Sequence, residues 1–311
     1  MSEVSEMVQH QYRQHPFPPL NRRGYYLEFG RYILEKVFSG NPKNAEGKKM
    51  LEAGCGTGVM LTDIASVIPE ADCVGIDFSD MSIEIARSYK PPKGSFYRAD
   101  ITNIDDLTAL MDIHGKFDFI QSWGVLHHTS DPEKALKNLA SLLNPNAYVR
   151  IGVYGYYGNM ERSRQMSRIK EMTEGLSHEE RIKAVLEFMD TDEYNPNLCE
   201  PALYHPNKCP VGERVVTEEE IVDEFLHVHE RHIRLGELVQ WFEDSGIEPV
   251  ELTGWDNIPI DFNIKAHTDD TQTIKDFGEK EEDGKIISPQ QAEILDLCLQ
   301  PYWIALLGKA R

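Results

Sequence analysis

Residues 51–58 read LEAGCGTG, with three glycines on alternate positions directly after an apolar run. Glycine is unfavourable inside regular structure and is used where the backbone turns tightly or approaches another group closely. A glycine-rich turn between a strand and a helix can bind a ligand, but such turns also occur with nothing bound. The sequence on either side of the turn therefore has to distinguish the two possibilities.

Short strands and helices alternate strictly between residues 49 and 155. The strand patterns are KMLEAG, DCVGID, SFYRAD, FDFIQSW and AYVRIGVYG, and the helical patterns between them are VMLTDIASVI, MSIEIARSY, IDDLTALMDI and PEKALKNLASLL. Such alternation is typical of βαβ units, which build a parallel sheet with helices on both faces. We therefore predict an α/β fold with a doubly wound sheet.

The alternation divides the chain into four parts. We predict an N-terminal helical lid segment at 1–45, a ligand-binding core at 46–155, a mainly helical cap insertion at 156–234, and a C-terminal completion of the core sheet at 235–311. The last part contains a helix (LGELVQWFEDSG), a strand (PVELTGW), a helix (PQQAEILDLCL) and a final strand (YWIALLGKA). Residues 267–285 are charged and poor in apolar side chains, which predicts a mobile loop.

Local signals place the remaining helices. Residues 25–38 (YYLEFGRYILEKVF) have an amphipathic pattern, and the insertion carries helical patterns at 162–174 and 178–189. Thr217 and Glu220 make a capping-box pattern that opens a further helix, TEEEIVDEFL. A loop with four prolines at 195–210 separates these helices.

Charge and cysteine usage limit the class of partner. The 311-residue chain carries a formal net charge of −20, which argues against a nucleic-acid partner because Lys and Arg supply most of the affinity for phosphates. No apolar run approaches membrane-spanning length, and the polar N-terminus does not resemble a signal peptide. The five cysteines lack the paired short spacing of a zinc site, so we expect reduced thiols in a cytoplasmic protein with no membrane partner.

Two acids stand at the ends of the strands that follow the glycine turn. Asp77 ends the second strand, nineteen residues after Gly58, where a carboxylate can accept hydrogen bonds from both hydroxyls of a ribose. Asp100 ends the third strand, where it can accept a hydrogen bond from an adenine amino group. The spacing of Gly54, Gly56 and Gly58 is G-x-G-x-G, unlike the G-x-G-x-x-G turn that receives a pyrophosphate. A ligand with adenine and ribose but no phosphates fits this pattern best.

At these residues the chain resembles the class I methyltransferases that use S-adenosylmethionine. LEAGCGTG is similar to the first motif of that family, with Glu52 at its acidic position, VGIDFS to its ribose motif and YRADI to its adenine motif. FDFIQSWGVLHHTSDPEKAL resembles the segment that ends the fourth strand, and the resemblance covers residues 49–154. It implies a seven-stranded, mostly parallel sheet with the last strand antiparallel, and S-adenosyl-L-methionine as the cofactor. One departure is LLNPNAYVR, which stands where family members carry a Pro-Gly-Gly turn before the fifth strand.

The strand-end pattern and the resemblance together assign cofactor binding to residues around one crevice. The assigned residues are Glu52, Gly54, Cys55, Gly56, Gly58, Asp77, Phe78, Asp100, Ile101, Trp123 and Tyr12. For the two aspartates the alternative is a cap on an exposed strand end, and for the aromatic residues it is ordinary core packing. A flat ring at a strand end is well suited to flank adenine.

Methyl transfer from a sulfonium is an in-line displacement, so the enzyme mainly aligns the acceptor and excludes water. Alignment alone can supply roughly 7–11 kcal/mol. His127 and His128 follow the fourth strand and are the predicted catalytic residues, because imidazole can take a proton in the useful pH range. The alternative is that this pair serves packing and backbone contact.

The insertion contains HVHERH at residues 227–232. Its histidines at i and i+3 would share one face of a helix and could hold a metal, but the pattern is not H-E-x-x-H. We therefore expect a lid or solvated role and no metal, with metal binding as the alternative. We also predict that the N-terminal segment and the insertion close over the crevice, with His15, Tyr154 and His229 binding the acceptor.

Three functions remain open at this point. The first is a methyltransferase for a small-molecule acceptor in a lidded pocket. The second is a protein or peptide side-chain methyltransferase, which requires an open groove, and the third is a non-catalytic nucleoside-binding protein. The Asn/Asp-Pro-Pro-Tyr segment of enzymes that methylate adenine or glutamine amides is replaced by QSWG after the fourth strand, which favours a small molecule or a protein side chain. The methylated atom and the oligomeric state stay open.

Overall fold

A computed structural model describes residues 2–88, 91, 93–199, 203–205, 207–208, 215–254 and 289–311. The strands of the sheet are β1 (Lys49–Ala53), β2 (Asp72–Asp77), β3 (Gly94–Arg98), β4 (Phe117–Trp123), β5 (Leu143–Tyr154), β6 (Ile247–Thr253) and β7 (Trp303–Ala310). Their order is β3-β2-β1-β4-β5-β7-β6, with β1 to β5 parallel and β7 antiparallel to both of its neighbours. The predicted seven-stranded sheet with an antiparallel last strand is confirmed.

Apart from the first, the helices follow the predicted patterns closely. They are α1 (Glu3–Gln14), α2 (Leu27–Phe38), α3 (Val59–Val67), α4 (Asp80–Ser88), α5 (Ile104–His114), α6 (Pro132–Ser141), α7 (Met160–Thr173), α8 (His178–Met189), α9 (Glu218–Phe225), α10 (Leu235–Asp244) and α11 (Pro289–Leu299). The predicted capping box at Thr217 and Glu220 is present at the start of α9.

The sheet buries a hydrophobic core on each face, as side chains that alternate along a strand require. In β1, Met50 belongs to the core formed with α2 and α3, whereas Leu51 belongs to the core formed with α5, α6 and α10. A separate small core holds the insertion together and includes Ile169, Phe188 and Phe225 of α7, α8 and α9.

The order in which successive strands are added to the sheet reverses between β1 and β4, although the two strands are parallel. β2 and β3 lie on one side of this pair, and β5 lies on the other. The connections that leave β1 and β4 therefore diverge and leave a crevice outside the carboxyl ends of the strands, where open α/β sheets bind ligands. The glycine turn at 54–58 follows β1 at this crevice.

Helix α1 was not predicted, because the sequence favours a helix only at 25–38 within the N-terminal segment. The buried residues of α1 are Ser5, Val8, Gln9 and Gln11. Three of these four are polar, so the helix has no apolar period that the sequence could reveal. Its packing depends on hydrogen bonds to the rest of the chain.

The segment HVHERH is not helical, so the expectation of histidines that share one helical face is wrong. Helix α9 ends at Phe225, and residues 226–232 have an irregular backbone. Arg231 N donates to His127 O at 2.9 Å, and Ile233 N donates to Tyr154 O at 2.9 Å. The backbone of this segment is satisfied by the ends of β4 and β5 instead of by a helix of its own.

The predicted mobile loop at 267–285 and part of the proline-containing loop at 195–210 lie outside the described residues. Among the helices described, none combines the length and the apolar character needed to cross a membrane.

Candidate active site

A cavity lies over the carboxyl ends of β1, β2 and β4 and contains about 1210 Å³ of empty space, its mouth included. The predicted site residues that line it are Tyr12, Glu52, Gly54, Cys55, Gly56, Asp77, Phe78, Asp100, Ile101, Trp123, His127, His128 and Tyr154. Most of the residues expected at the crevice therefore line one cavity.

Three predicted site residues do not line this cavity. Gly58 is packed against the α4 side, where an added Cβ would lie 2.9 Å from Phe96. The ring of His15 stacks on that of His178, with centroids 4.7 Å apart, and His229 contributes its carbonyl to the site while its side chain is not part of the wall. The His15 side chain is held by His178 and Glu218 of the insertion instead of by the cavity.

The glycines of the turn make room for the protein itself. Gly56 has φ +51°, and an added Cβ would lie 2.0 Å from Phe17 O. Gly54 has φ +81°, and an added Cβ would lie 2.3 Å from a methyl carbon of Val125. Both positions therefore require glycine for close packing of chain segments around the cavity, in addition to the positive φ.

Asp77 stands where its carboxylate can meet a ribose. Its Oδ2 accepts a hydrogen bond from Gly56 N at 3.0 Å, and its Oδ1 accepts one from Ser79 N at 2.8 Å. Burial raises the pKa of the Asp77 carboxyl to about 6. Each carboxylate oxygen retains a further lone pair, so the group can still accept hydrogen bonds from two hydroxyls of a ligand in the cavity.

Glu52 is buried at the end of β1, with 3% of its surface exposed. Its Oε2 has no hydrogen-bond partner among the described residues, and burial raises the pKa of the carboxyl well above its usual value. A buried carboxylate oxygen without a partner is costly. A ligand that carries an ammonium group would donate the missing hydrogen bond and offset the charge, whereas a sulfonium centre would offset the charge alone.

Asp100 lies just after β3 and lines the cavity. Its Oδ1 accepts hydrogen bonds from both the backbone N and the side-chain hydroxyl of Thr102, each at 2.8 Å. These bonds hold the carboxyl in one orientation in the wall of the cavity. The same hydrogen bonds show that Asp100 caps the turn after its strand, which is the alternative role given for it in the sequence analysis.

The two histidines after β4 have different environments. His128 Nδ1 lies 3.0 Å from His229 O, and because a carbonyl only accepts, Nδ1 carries the proton and Nε2 keeps its lone pair. Burial lowers the pKa of His128 to about 4. His127 is fully buried against the Tyr154 ring, and neither of its ring nitrogens has a hydrogen-bond partner among the described residues. His128 is thus the better placed of the two to accept a proton.

The N-terminal segment covers the cavity. Gln9 donates to Phe78 O at 2.8 Å, and the Ser79 hydroxyl donates to Tyr12 O at 3.1 Å. Farther along, Thr57 N donates to Phe17 O at 3.1 Å. Helix α1 and the turn that follows it are therefore bonded directly to the connections after β1 and β2.

Asp223 of α9 also lines the cavity and was missed in the sequence. The Tyr12 hydroxyl donates to Asp223 Oδ1 at 2.9 Å and lies 3.1 Å from His227 Nε2. His229 N donates to His227 Nδ1 at 3.1 Å, so the His227 proton is on Nε2 and that nitrogen donates to Tyr12. Burial raises the pKa of Asp223 to about 7. Only the acidic pattern of α9 signals this residue, and that pattern equally suits a solvated helix.

Arg22 is the sole Lys or Arg among the described lining residues, and its charge is paired. Its Nη2 lies 2.8 Å from Glu220 Oε1, and both side chains are buried. This ion pair joins the N-terminal segment to α9. The charges left to face a ligand are therefore carboxylates.

These features define a class of protein. A glycine turn after β1, an acid at the end of β2 and a buried carboxylate, one oxygen of which has no partner among the described residues, lie at the switch point of a seven-stranded sheet whose last strand is antiparallel. This is the arrangement of class I, Rossmann-like S-adenosylmethionine-dependent methyltransferases.

The sequence comparison identifies the family. Residues 17–184, more than half of the chain, match the family described as "Methyltransferase domain". The chain therefore belongs to this family, and its cofactor is S-adenosyl-L-methionine. The match includes the glycine turn, the three strand-end acids and the histidine pair.

Two curated relatives have related sequences. The chain is 30% identical over 177 residues to the uncharacterized protein syc1184_c of Synechococcus sp., covering 55% of this chain and 42% of that protein. It is 30% identical over 103 residues to the ubiquinone biosynthesis O-methyltransferase of Chromobacterium violaceum, covering 33% of this chain and 43% of that enzyme. The chain thus spans less than half the length of either relative.

One solved structure shows the same fold. PKMT2 from Rickettsia typhi superposes with a TM-score of 0.63 at 18% identity, covering 95% of this chain and 56% of that chain. At this identity the likeness concerns the fold alone.

Proposed function

We propose that the protein methylates a small-molecule acceptor inside the closed cavity. The observation that carries this proposal is the cover formed by α1 and α9, joined by the hydrogen bond between Tyr12 and Asp223 and by the buried ion pair between Arg22 and Glu220. An enclosed site favours an acceptor that fits entirely within it. The related ubiquinone biosynthesis enzyme is, by its name, an O-methyltransferase in the synthesis of a small molecule.

The residues at the strand ends would hold the cofactor. Asp77 would accept hydrogen bonds from the ribose hydroxyls, and Asp100 with Ile101 would contact the adenine. Glu52 would lie near the cationic end of the cofactor, because its Oε2 has no hydrogen-bond partner in the described part of the chain. When bound, S-adenosylmethionine supplies an electrophilic methyl group on a sulfonium.

Aromatic side chains form the wall near the histidine pair. The ring of Trp303 stacks on that of Trp123, with centroids 5.0 Å apart, and Tyr154 lies edge-on to Trp303 at 4.7 Å. Aromatic faces attract cations and exclude water. This wall suits the transfer of a methyl group from a cationic donor in a dry site.

His128 would act as the proton acceptor. Its Nε2 lone pair is available, because Nδ1 is committed to the His229 carbonyl. Its low pKa keeps the ring neutral at physiological pH, and it would take a proton from an acceptor O–H or N–H as the new bond to carbon forms.

Asp223 would orient the acceptor. The Tyr12 hydroxyl holds one carboxyl oxygen, and the ring of His227, which also contacts Tyr12, stacks on His128 with centroids 3.8 Å apart. One connected set of side chains thus carries both the proposed base and the proposed orienting carboxylate. An acceptor with a hydroxyl or an amine can bind both, whereas an anionic acceptor would be repelled by Asp223.

The test supplies methyl-labelled S-adenosylmethionine with either the small-molecule or the protein fraction of one cell extract. We expect label in the small-molecule fraction. Labelling confined to the protein fraction would instead assign a protein acceptor. Protein that binds the cofactor but labels neither fraction would overturn the proposal in favour of a nucleoside-binding protein.

Once an acceptor is found, the base is tested by His128→Asn, which keeps a donor for the His229 carbonyl and removes the Nε2 lone pair. We expect kcat to fall by about 10²- to 10⁴-fold. Affinity for S-adenosylhomocysteine should stay within about twofold, and His10→Asn on the exposed side of α1 is the matched control. An unchanged kcat in His128→Asn would remove the base from the mechanism.

A further inference from the structure

Three potential metal ligands from three separate elements meet beside the cover of the cavity. His15 directly follows α1, His178 is the first residue of α8, and Glu218 is the first residue of α9. One nitrogen of each histidine and one carboxylate oxygen all lie within 4.8 Å of one another. None of these residues lines the cavity.

The distances suit a small divalent cation. His178 Nε2 lies 3.2 Å and His15 Nδ1 lies 3.7 Å from Glu218 Oε1. Zinc takes nitrogen and oxygen ligands at about 2.0–2.2 Å in tetrahedral geometry, which separates neighbouring ligand atoms by about 3.3 Å. Rearrangement of these three side chains would complete three corners of such a tetrahedron, and water would supply the fourth.

We propose that His15, His178 and Glu218 form a binding site for a divalent transition metal of the zinc type. Imidazole and carboxylate together select this class over magnesium and calcium, which prefer oxygen ligands alone. The rings of His15 and His178 stack with 24° between their planes, so one ring must turn for a nitrogen of each to coordinate the same ion. The site is partly exposed, which leaves a path for the ion to enter.

His227 and His232 of HVHERH are poorer candidates, because the structure already engages them. His227 uses both ring nitrogens, with Tyr12 and with His229 N. His232 and Arg162 both bind Glu230. A metal there would have to break a buried ion-pair network, whereas the proposed site requires only an exposed hydrogen bond between His178 and Glu218 to open.

The position suggests what the metal would do. His15 lies two residues before Phe17, whose carbonyl accepts the hydrogen bond of Thr57 in the glycine turn. An ion that joins His15 to α8 and α9 would therefore hold the cover closed over the cofactor cavity. This second step rests on the proposed cofactor site, whereas metal binding itself does not.

Metal binding is tested on the untagged, metal-free full-length protein without cofactor. We expect calorimetry with Zn²⁺ to show a single site per chain, and Co²⁺ to give the intense visible bands of tetrahedral coordination. Removal of an outer-shell partner typically costs a metal site about 10- to 100-fold in affinity, so loss of a ligand in His15→Ala or Glu218→Gln should cost at least about tenfold. His10→Ala, also at an exposed histidine of the N-terminal segment, should bind like the parent protein.

Unchanged Zn²⁺ affinity in both ligand variants, or an octahedral Co²⁺ spectrum, would overturn the site. Thermal unfolding without metal checks that the variants fold, which is expected because Glu218 is exposed and His15 is partly exposed. The closing role is tested by the release rate of S-adenosylhomocysteine, which should slow when Zn²⁺ is added to the parent protein and not when it is added to His15→Ala. Equal release rates with and without Zn²⁺ in the parent protein would overturn the closing role. Neither the metal-binding result nor the release-rate result decides the labelling test, which reports the class of acceptor.

Discussion

Replacement of Asp77 by Ala should weaken cofactor binding strongly. The carboxylate is held by Gly56 N and Ser79 N, with further lone pairs directed at the cavity. Hydrogen bonds to a charged group contribute about 1.5–3 kcal/mol, and the loss of such an interaction with the ribose corresponds to a Kd raised by about 10- to 150-fold. The same change leaves two backbone N–H groups without their acceptor, so the free energy of unfolding of the empty protein should also fall.

Asp77→Asn separates these two effects. Burial raises the pKa of Asp77 to about 6, above the value of an unfolded aspartate, so at neutral pH the charge destabilises the empty folded protein. The amide removes that charge at nearly constant shape, so this variant should lose affinity while it loses less stability than Asp77→Ala. In the parent protein, affinity should decline as the pH falls through about 6, because the carboxylate becomes protonated.

Calorimetry with S-adenosylhomocysteine and denaturant unfolding of the empty protein measure both quantities. Asp72→Asn is the matched control, because Asp72 is exposed at the opposite end of the same strand. A folded Asp77→Ala protein that binds within about twofold of the parent would refute the ribose assignment. The assignment would also be refuted if cofactor affinity declined below pH 6 as steeply in Asp77→Asn as in the parent protein.

Three further predictions concern the cover and the acceptor end. Gly56→Ala should displace Phe17 and weaken cofactor binding. Gly47→Ala is the control, because Gly47 also has a positive φ but open space around it, and it should lower the free energy of unfolding by only about 1–2 kcal/mol. Equal effects of the two substitutions on cofactor binding would contradict the packing argument. The kcat/KM for the acceptor should rise as the pH rises through about 7, because burial raises the pKa of Asp223, and Asp223→Asn should lose this rise; a profile unchanged by the substitution would exclude Asp223. Hydrogen exchange of residues 2–20 and 217–233 should slow when S-adenosylhomocysteine and the acceptor are added together, and equally fast exchange with and without them would show that the cover does not close on ligands.

The sheet and the cofactor end of the site could be predicted because their signals are local. The apolar runs of β1 to β5 are separated by helical patterns, and short right-handed connections permit few arrangements of such units. Once the sheet is parallel, the residues that follow the strands must meet at one edge. Glu52, Asp77 and Asp100 therefore line the same cavity although they are far apart in sequence.

The sequence also determined that the glycine turn is unusual, but the tertiary structure decided why. The spacing of Gly54 and Gly56 indicates a ligand, whereas the structure shows Val125 and the backbone of Phe17 in the space that a side chain would need. Contacts between segments so distant in sequence leave no periodic pattern. Glycine is therefore needed at these positions because other parts of the protein pack against the turn around the cavity, as well as for any ligand that binds there.

The acceptor end was decided by the tertiary structure alone. Helix α1 docks through Gln9, Tyr12 and other polar side chains, and α9 through Asp223 and Glu220, so neither helix has an apolar stripe directed at the cavity. A polar side chain reads the same in a sequence whether it faces water or a buried partner, and only the position of that partner in space distinguishes the two. For this reason the strand-end acids could be assigned to the cavity from their order along the chain, while Asp223 and the positions of His15 and His229 became known only once the N-terminal segment and the insertion were seen packed together.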